Sequence, residues 1–464
     1  MRVKTAFLIW FGAALCATAQ MPGTPLLNAV VQNDTAAAEK LLAEGADPNE
    51  GRFAGIPPIF FVVMHQNTRL FDAMKAKGAD IKVKDKTGSN LLMWAASDDS
   101  GRGELVEELL RLGLDPRDTD SKGDNALTWA LRRGSDTPAV RALRKAGASS
   151  APMIVHAAEK AIALLQKSGP QFTKVSGCAS CHHQALPQMA NGIARTRGIR
   201  IDEEVSPQQV KAVIATFSPL REEMMRGVAR FPDVPISVSY ALLGLAAEGY
   251  AADETTAAMA YLIGSQQLAD GSFRTIPARP PLESSDFTAT SLSLRALQLY
   301  GGTEREKIHR AAAWLQGAEP RTTEDRVMQL LGMKWTNADV KLLKKRASEL
   351  LSMQHDDGGW SQLPALGSDA YATGQALVAL ERSGAFSVSD AAYQRGVDFL
   401  LRTQLADGSW LVHSRSFPVQ VYKESGYPHG PDQWISASGS SWAAMALGLA
   451  LPGPQNGSRA FSAF

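Results

Sequence analysis

The sequence lacks an excess of either charge, and it lacks long apolar runs after its first twenty residues. Lys and Arg number 48 against 47 Asp and Glu, so no strong attraction to anionic lipid is expected, and no nucleic acid partner. Without a later apolar run, no transmembrane segment is expected in the mature protein. The 464 residues are 45% hydrophobic and only 20% charged. This composition excludes a disordered, collagen-like or coiled-coil protein, and the length predicts about three folding units.

Cysteine is also scarce, and one of the three cysteines lies in a leader-like segment. Arg2 and Lys4 precede an apolar run from Ala6 to Ala17, followed by small residues suited to cleavage. This pattern predicts a secretory signal peptide over residues 1–19, and therefore an exported protein, periplasmic or extracellular. A membrane anchor is the alternative, but the run is short for a bilayer. Cys16 should leave with the peptide, so two cysteines remain.

Residues 25–150 repeat with a period near 34. Gly45, Gly78, Gly113 and Gly147 follow one another at intervals of 33, 35 and 34 residues, each after a predicted helix. This period is typical of a solenoid, and the turns and paired helices resemble the ankyrin repeat. Because ankyrin arrays usually bind proteins, the resemblance implies a redox or binding partner protein. The alternative is that this short array only caps the neighbouring domain.

The rest of the chain predicts six helical hairpins, which together make an (α/α)6 toroid over residues 151–455 and an all-α fold. One helix of each pair carries a charged face, and the other is apolar nearly all round, as an inner ring would be. The first helices of the pairs are predicted at 157–167, 206–227, 254–267, 305–316, 338–354 and 390–404, and the second at 184–197, 237–249, 287–300, 324–334, 370–383 and 440–450.

Three connections between the predicted helices share a motif that begins with glutamine and ends with an aromatic residue. They run from Gln267 to Phe273, from Gln354 to Trp360 and from Gln404 to Trp410, each with an Asp-Gly or Gly-Gly turn. The last closely resembles the QW repeat of squalene and hopene cyclases and, more loosely, that of prenyltransferase β-subunits. In that family the glutamine and the aromatic residue tie neighbouring helices together. The resemblance implies a structural role here and a terpenoid cyclase-like toroid.

The chemistry of those cyclases is not expected in this chain. Cyclases protonate their substrate with a D-x-D-D-T-A element, and the helix starts that align with it, at Asp286 and Asp369, keep only the first aspartate. Thr288 and Tyr371 replace the central acid. The two Ser-Asp pairs look first like helix N-caps. Asp286, Asp369 and Tyr371 remain candidate catalytic residues because the toroid would place them at its mouth. Prenyltransferase zinc ligands are also missing, since no cysteine follows residue 181.

The motif that predicts chemistry is C-x-x-C-H, at Cys178, Cys181 and His182 in a loop over residues 177–183. It resembles a cytochrome c attachment site, which implies haem c bound through both cysteines, with His182 as the iron ligand. Two alternatives stay open. The same residues could hold zinc, as in a zinc-dependent transferase or cyclase, because lanthionine cyclases combine this toroid with a Cys, Cys, His site. A thioredoxin-type disulfide would need a βαβ context that the sequence lacks.

A long predicted loop, from Leu411 to Gly439, should lie at the same mouth, because a closed ring brings the sixth hairpin against the first. Long loops in compact domains are usually functional or mobile. Its His429 and Asp432 are candidate catalytic residues. The distal haem ligand stays open, with Met189 and Met153 near in sequence; His183 follows the proximal ligand too directly to reach the opposite face.

Together these features predict an exported haem c protein that acts in electron transfer or oxidises an apolar small molecule at the toroid mouth. An alternative of another class is a non-catalytic protein whose toroid holds a lipid while the ankyrin array recruits a partner.

Overall fold

A computed structural model describes residues 23–100, 102–134, 136–276, 279–417 and 422–453. Within these ranges the chain is helical, with isolated bridges and no strand. It forms two compact units, of which the first ends at Ala148 and the second begins at Ser149. The predicted signal peptide and Cys16 lie outside the described residues. None of the described helices is long and apolar enough to cross a membrane.

The first unit is a stack of helix pairs. Its described helices are α1 (Pro25–Val31), α2 (Thr35–Ala43), α3 (Pro58–Met64), α4 (Thr68–Ala76), α5 (Leu91–Ala96), α6 (Glu104–Arg111), α7 (Ala126–Leu131) and α8 (Pro138–Lys145). The first helix of each pair packs on the first helix of the next, α1 on α3, α3 on α5 and α5 on α7. Stacking therefore buries an apolar face that a single pair would leave in water.

The repeated glycines explain the period seen in the sequence. Gly45, Gly78, Gly113 and Gly147 all follow the second helix of a pair with φ between 87° and 96°. This left-handed conformation ends a helix and is open to glycine without strain. One glycine per pair is therefore a requirement of the backbone.

The second unit is built from outer and inner helices. The described helices are α9 (Ala151–Ser176), α10 (Leu186–Thr196), α11 (Val205–Phe217), α12 (Arg221–Met225), α13 (Val234–Ala247), α14 (Glu254–Ser265), α15 (Asp286–Tyr300), α16 (Arg305–Gly317), α17 (Thr323–Trp335), α18 (Val340–Leu351), α19 (Ala370–Ser383), α20 (Ala391–Thr403) and α21 (Gln433–Ala450). Along the described chain, the inner helices pack in the order α10, α13, α15, α17, α19, α21, and α21 packs back on α10. The inner helices thus form a closed ring, and the all-α class with repeats before packed hairpins is confirmed.

The inner helices are buried almost all round, which follows from their composition. In α13, for example, all but two residues are buried, and in α21 the stretch from Ile435 to Leu449 is buried without interruption. A helix that is apolar on every side gains most from burial on both faces. The outer helix α18 instead exposes a charged face and buries only Leu343, Ala347 and Leu350.

Three predicted boundaries were wrong. The first outer helix, predicted at 157–167, is α9 and runs from Ala151 to Ser176. The outer helix predicted at 206–227 is two helices, α11 and α12, separated by a 3₁₀ turn at Ser218–Leu220 that contains Pro219; proline removes a backbone donor and ends the α-helix. The inner helix predicted at 440–450 begins at Gln433, so the second part of the predicted 411–439 loop is helical. Serine and glycine made that part look like a loop, but packing overrides their low helix propensity.

The three glutamine connections act as ties between hairpins. Gln267 Nε2 donates to Lys307 O at 2.7 Å, and Gln354 Nε2 donates to Ala392 O at 2.8 Å. In each case the acceptor lies in the next outer helix. Gln404 Nε2 donates to Ala157 O at 2.8 Å. Since Ala157 belongs to α9, this last tie joins the sixth hairpin to the first.

The glycine of each tie allows close approach of the next helix. A Cβ at Gly358 would lie 2.5 Å from Arg395 O, and one at Gly408 would lie 2.9 Å from Lys160 O. Both residues also have φ near 90°. The turn glycine is therefore fixed by conformation and by packing, as a structural role for these connections requires.

Gly374 gives a test of inner-ring packing. A Cβ there would meet the Trp442 carbonyl carbon at 2.6 Å, where α19 crosses α21. We expect Gly374→Ala to destabilise the protein by about 1 to 3 kcal/mol through overpacking, although alanine is the better helix former. Denaturation in urea measures the change. Gly367→Ala is the control, because nothing lies within 4 Å of its Cβ position; an equal effect of both changes would contradict the packing argument.

Candidate functional site

The Cys-His segment lies where α9 ends and α10 begins. Gly177, with φ 75°, ends α9, and a π-helical turn at Cys181–Ala185 leads directly into α10. Ser180 caps this turn, since its Oγ accepts from His183 N at 3.1 Å. Single π-helical turns are rare in proteins, and those that occur are often found at functional sites.

The two cysteines are not joined to each other. Cys178 is exposed and Cys181 is buried, and both are free thiols. Burial raises the pKa of Cys181 to about 12, so this sulfur is a protonated thiol at neutral pH. Zinc binds thiolate, and among the described residues no three His, Cys, Asp or Glu side chains are grouped to hold a metal ion.

His182 and His183 lie side by side in the buried turn. Their ring centroids are 4.7 Å apart and their Nδ1 atoms are in hydrogen-bonding contact. Burial lowers the pKa of His182 well below its usual range, with a smaller contribution from His183, and lowers the pKa of His183 to about 3. Both rings are therefore neutral at pH 7. In this contact one Nδ1–H donates a hydrogen bond and the other Nδ1 accepts it.

Aromatic rings enclose this pair of imidazoles. Phe172 stacks on His183 with centroids 4.7 Å apart, and Trp434 lies 6.1 Å from His182. Tyr427 lies 6.2 Å from His183. The last two belong to the segment that was predicted as a long loop, so this segment lies against the Cys-His turn. The surroundings are apolar, which excludes water from the imidazoles.

The two candidates of that segment differ in position. The His429 ring lies 6.4 Å from Tyr427, and its Nε2 is 2.8 Å from Ser409 Oγ. Asp432 is partly buried and accepts from Ser414 N at 2.8 Å, and it contacts His413 Nδ1 at 2.9 Å. His429 therefore adjoins the imidazoles through Tyr427, whereas Asp432 has partners of its own.

The two methionines considered as distal ligands lie in different places. Met189 is buried in the ring core on α10, and Met153 lies in the first turn of α9. A helix rises 1.5 Å per residue, so α9 separates Met153 from Cys178 by roughly 35 Å. Proximity in sequence was misleading for Met153, because one long helix intervenes, and this residue is excluded as a ligand.

The aspartates at the helix starts have capping or surface roles. Ser285, not Asp286, caps α15, since its Oγ accepts from Phe287 N at 3.1 Å and from Thr288 N at 3.2 Å. Asp286 is paired with Arg274. Asp369 caps α19 by accepting from Ala372 N at 2.9 Å, and burial raises its pKa to about 6. Neither aspartate is among the residues that line the cavity described next.

A cavity of about 260 Å³ lies where three inner helices begin. It is lined by Tyr371 and by Glu324, a residue that the sequence did not single out. Thr288 Oγ1 donates to Glu324 Oε1 at 2.8 Å, and Tyr371 OH donates to the same oxygen at 3.4 Å. Burial, aided by the neighbouring Asp325, raises the pKa of Glu324 to about 8. The carboxyl is therefore mostly neutral at pH 7. Its position at the start of a predicted inner helix was the available signal.

Comparison with known families confirms one part of the sequence interpretation. Residues 59–152 match the family model for ankyrin repeats in three copies. This module is a protein-interaction module. No curated protein matches the chain. The resemblance of the second unit to cyclases, and that of its Cys-His motif to cytochrome c, remain predictions.

Proposed function

We propose that the protein is exported and carries one haem c, attached through Cys178 and Cys181 with His182 as an iron ligand. It would act in electron transfer or in the oxidation of an apolar small molecule. The observation that carries the proposal is the pair of free thiols followed directly by a buried, neutral imidazole. These are the groups that thioether attachment and axial ligation use.

The arrangement of the histidines fits such a ligand. His182 Nδ1 contacts His183 Nδ1 and lies 3.4 Å from Ser180 Oγ. A ligating histidine usually gives its second ring N–H to a neighbour, which fixes its tautomer and orientation. Donation from His182 Nδ1 to His183 would leave His182 Nε2 for iron. In this arrangement the proton of the neutral His183 ring is on Nε2, which is buried without a hydrogen-bond partner among the described residues.

The surrounding side chains would tune and protect the site. A bound haem supplies one-electron chemistry. Phe172, Trp434 and Tyr427 exclude water from His182 and His183 and keep the local dielectric low. Apolar surroundings change the reduction potential of a haem, because burial makes a net charge on the iron less favourable. The role of His429 in this proposal is indirect, through Tyr427.

The ankyrin unit would bind the partner protein. Stacked repeats present an extended surface, and such arrays usually bind proteins. We infer a redox or binding partner protein outside the cytoplasm, in agreement with the predicted signal peptide.

The visible spectrum and the mass of the purified, exported protein test the haem proposal. We expect a red protein that is heavier than its mature chain by one haem, with colour that survives extraction with acidified acetone. The same chain without residues 1–19, produced without export, is the control and should lack the attached group. A colourless exported protein with one zinc per chain would refute the proposal.

A further inference from the structure

The cavity at the helix starts is lined by both polar and apolar residues. It borders the starts of three inner helices, because Ser284, Thr322 and Tyr371 line it at α15, α17 and α19. Helix N-termini carry partial positive charge and favour anions. Pro280 and Leu363 contribute apolar surface. The shape therefore favours a ligand with one charged or polar end and an apolar remainder.

Two buried polar atoms of the cavity lining are not satisfied by a well-formed hydrogen bond within the described structure. Glu324 is 5% exposed and Gln375 is 1% exposed. Glu324 Oε2 and Gln375 Nε2 each lack a hydrogen bond of ordinary length among the described residues, although the Gln375 side chain lies close enough to lower the pKa of Glu324. Native proteins pair nearly all buried polar groups, so two orphaned atoms on one small cavity point to a ligand that pairs them.

The polar part of the cavity lining also includes a cation. Arg415 lines the cavity and is held by its Nε, which donates to Gln362 Oε1 at 2.9 Å. Burial lowers the pKa of Arg415. Because the pKa of a guanidinium is normally very high, the group still stays charged at pH 7. Among the described residues only its Nε makes a hydrogen bond, while Glu324 and Asp369 lie near enough to raise its pKa. Arg415 can therefore offer further donors.

We propose that this cavity binds the carboxylate of a small organic acid, with Gln375, Arg415 and Glu324 as hydrogen-bond donors. A carboxylate has two planar oxygens that accept several such bonds. The volume of about 260 Å³ compares with roughly nine water molecules at about 30 Å³ each. This is below the usual range for drug-sized ligands, so the acid has a short apolar chain. The inference is independent of the proposed haem.

Glu324 makes the binding depend on pH. The ionisable groups that face it are Asp325 on α17, Tyr240 on α13, Tyr371 on α19 and Arg415 from the segment after α20. The neutral carboxyl donates a hydrogen bond, whereas the ionised form repels a second carboxylate. Since the pKa of Glu324 is about 8, the donor is present below pH 8 and lost above it.

Titration calorimetry of the full chain with hexanoate, hexanamide and hexyl phosphate tests the proposal. Hexanoate stays ionised between pH 6 and pH 9, so a change in its affinity reports on the protein. We expect hexanoate to bind at pH 6 and to bind about tenfold more weakly at pH 9, where one unit above the pKa leaves about a tenth of Glu324 protonated. Hexanamide should bind more weakly than hexanoate. Equal binding of the amide, tighter binding of the phosphate, or no binding of hexanoate would overturn the assignment.

Two variants separate this site from a general effect on the fold. Glu324→Gln keeps a neutral donor and should bind hexanoate at both pH values without the tenfold change. Gln375→Leu should weaken binding at both pH values while the far-UV spectrum stays unchanged. Glu319→Gln, at an exposed glutamate just before α17, is the matched control and should keep both affinity and pH dependence. A pH dependence that persists in Glu324→Gln would place the proton elsewhere and refute the assigned donor.

Discussion

Replacing Trp360 or Trp410 with alanine is expected to lower the free energy of unfolding by about 3 to 5 kcal/mol in each case. Both indoles are at most 1% exposed, and both donate from Nε1, to Leu350 O and Leu400 O respectively, at 2.9 Å. Truncation removes apolar contacts, leaves a cavity and leaves a buried carbonyl without this donor. Urea denaturation of the full chain, followed by circular dichroism, measures the loss.

The neighbour of one tryptophan supplies a control. Leu411 follows Trp410 directly but is 44% exposed, so Leu411→Ala should change stability by no more than about 0.5 kcal/mol. If the tryptophan variants melted like the parent but lost function, the indoles would belong to a binding pocket and not to the ties between hairpins.

Cysteine and histidine substitutions are expected to act on the haem in different ways. Cys178→Ala and Cys181→Ala should reduce covalently retained haem, because each removes one thioether, and the double variant should retain none through acid extraction. His182→Ala should keep the attached group but change its visible spectrum, because the imidazole sets the electronic state of the iron. Mass spectrometry and absorbance measure the two effects separately.

His429→Ala is the comparison for these variants. This residue reaches the imidazoles only through Tyr427, so its loss should shift the potential or the pH dependence of the spectrum more than the haem content. Unchanged haem content in both cysteine variants would refute attachment at this motif.

Features set by the local backbone were visible in the sequence. The left-handed glycines after α2, α4, α6 and α8 recur with the repeat, and the apolar periods of the inner helices predicted their number and order. The ends of helices were less predictable. The start of α21 at Gln433 depends on packing, since Gly439 lies against Tyr371 and Val412 of other segments. Propensity alone favours a loop for such a serine-rich stretch.

The candidate site was predictable where adjacent residues form it. Cys178, Cys181 and His182 are neighbours in sequence, so their proximity required no knowledge of the fold. The pKa of Glu324 is raised only because residues of distant helices bury its carboxyl group, one of which, Thr288, also donates a hydrogen bond to it. Acidic residues in a first helical turn, here Glu324 and Asp325, read equally well as favourable charges at a helix start. Only the folded structure shows that Glu324 is buried.

The tie from Gln404 to Ala157 joins residues 247 positions apart. Contacts of such high sequence separation form late, because the loop-closure entropy must be overcome before they stabilise the chain. During synthesis the first hairpin is complete long before α20 and α21 leave the ribosome, and until then its edge has no neighbour. The π-helical turn at Cys181–Ala185 packs on α21, so it lacks part of its final cover until the last hairpin docks.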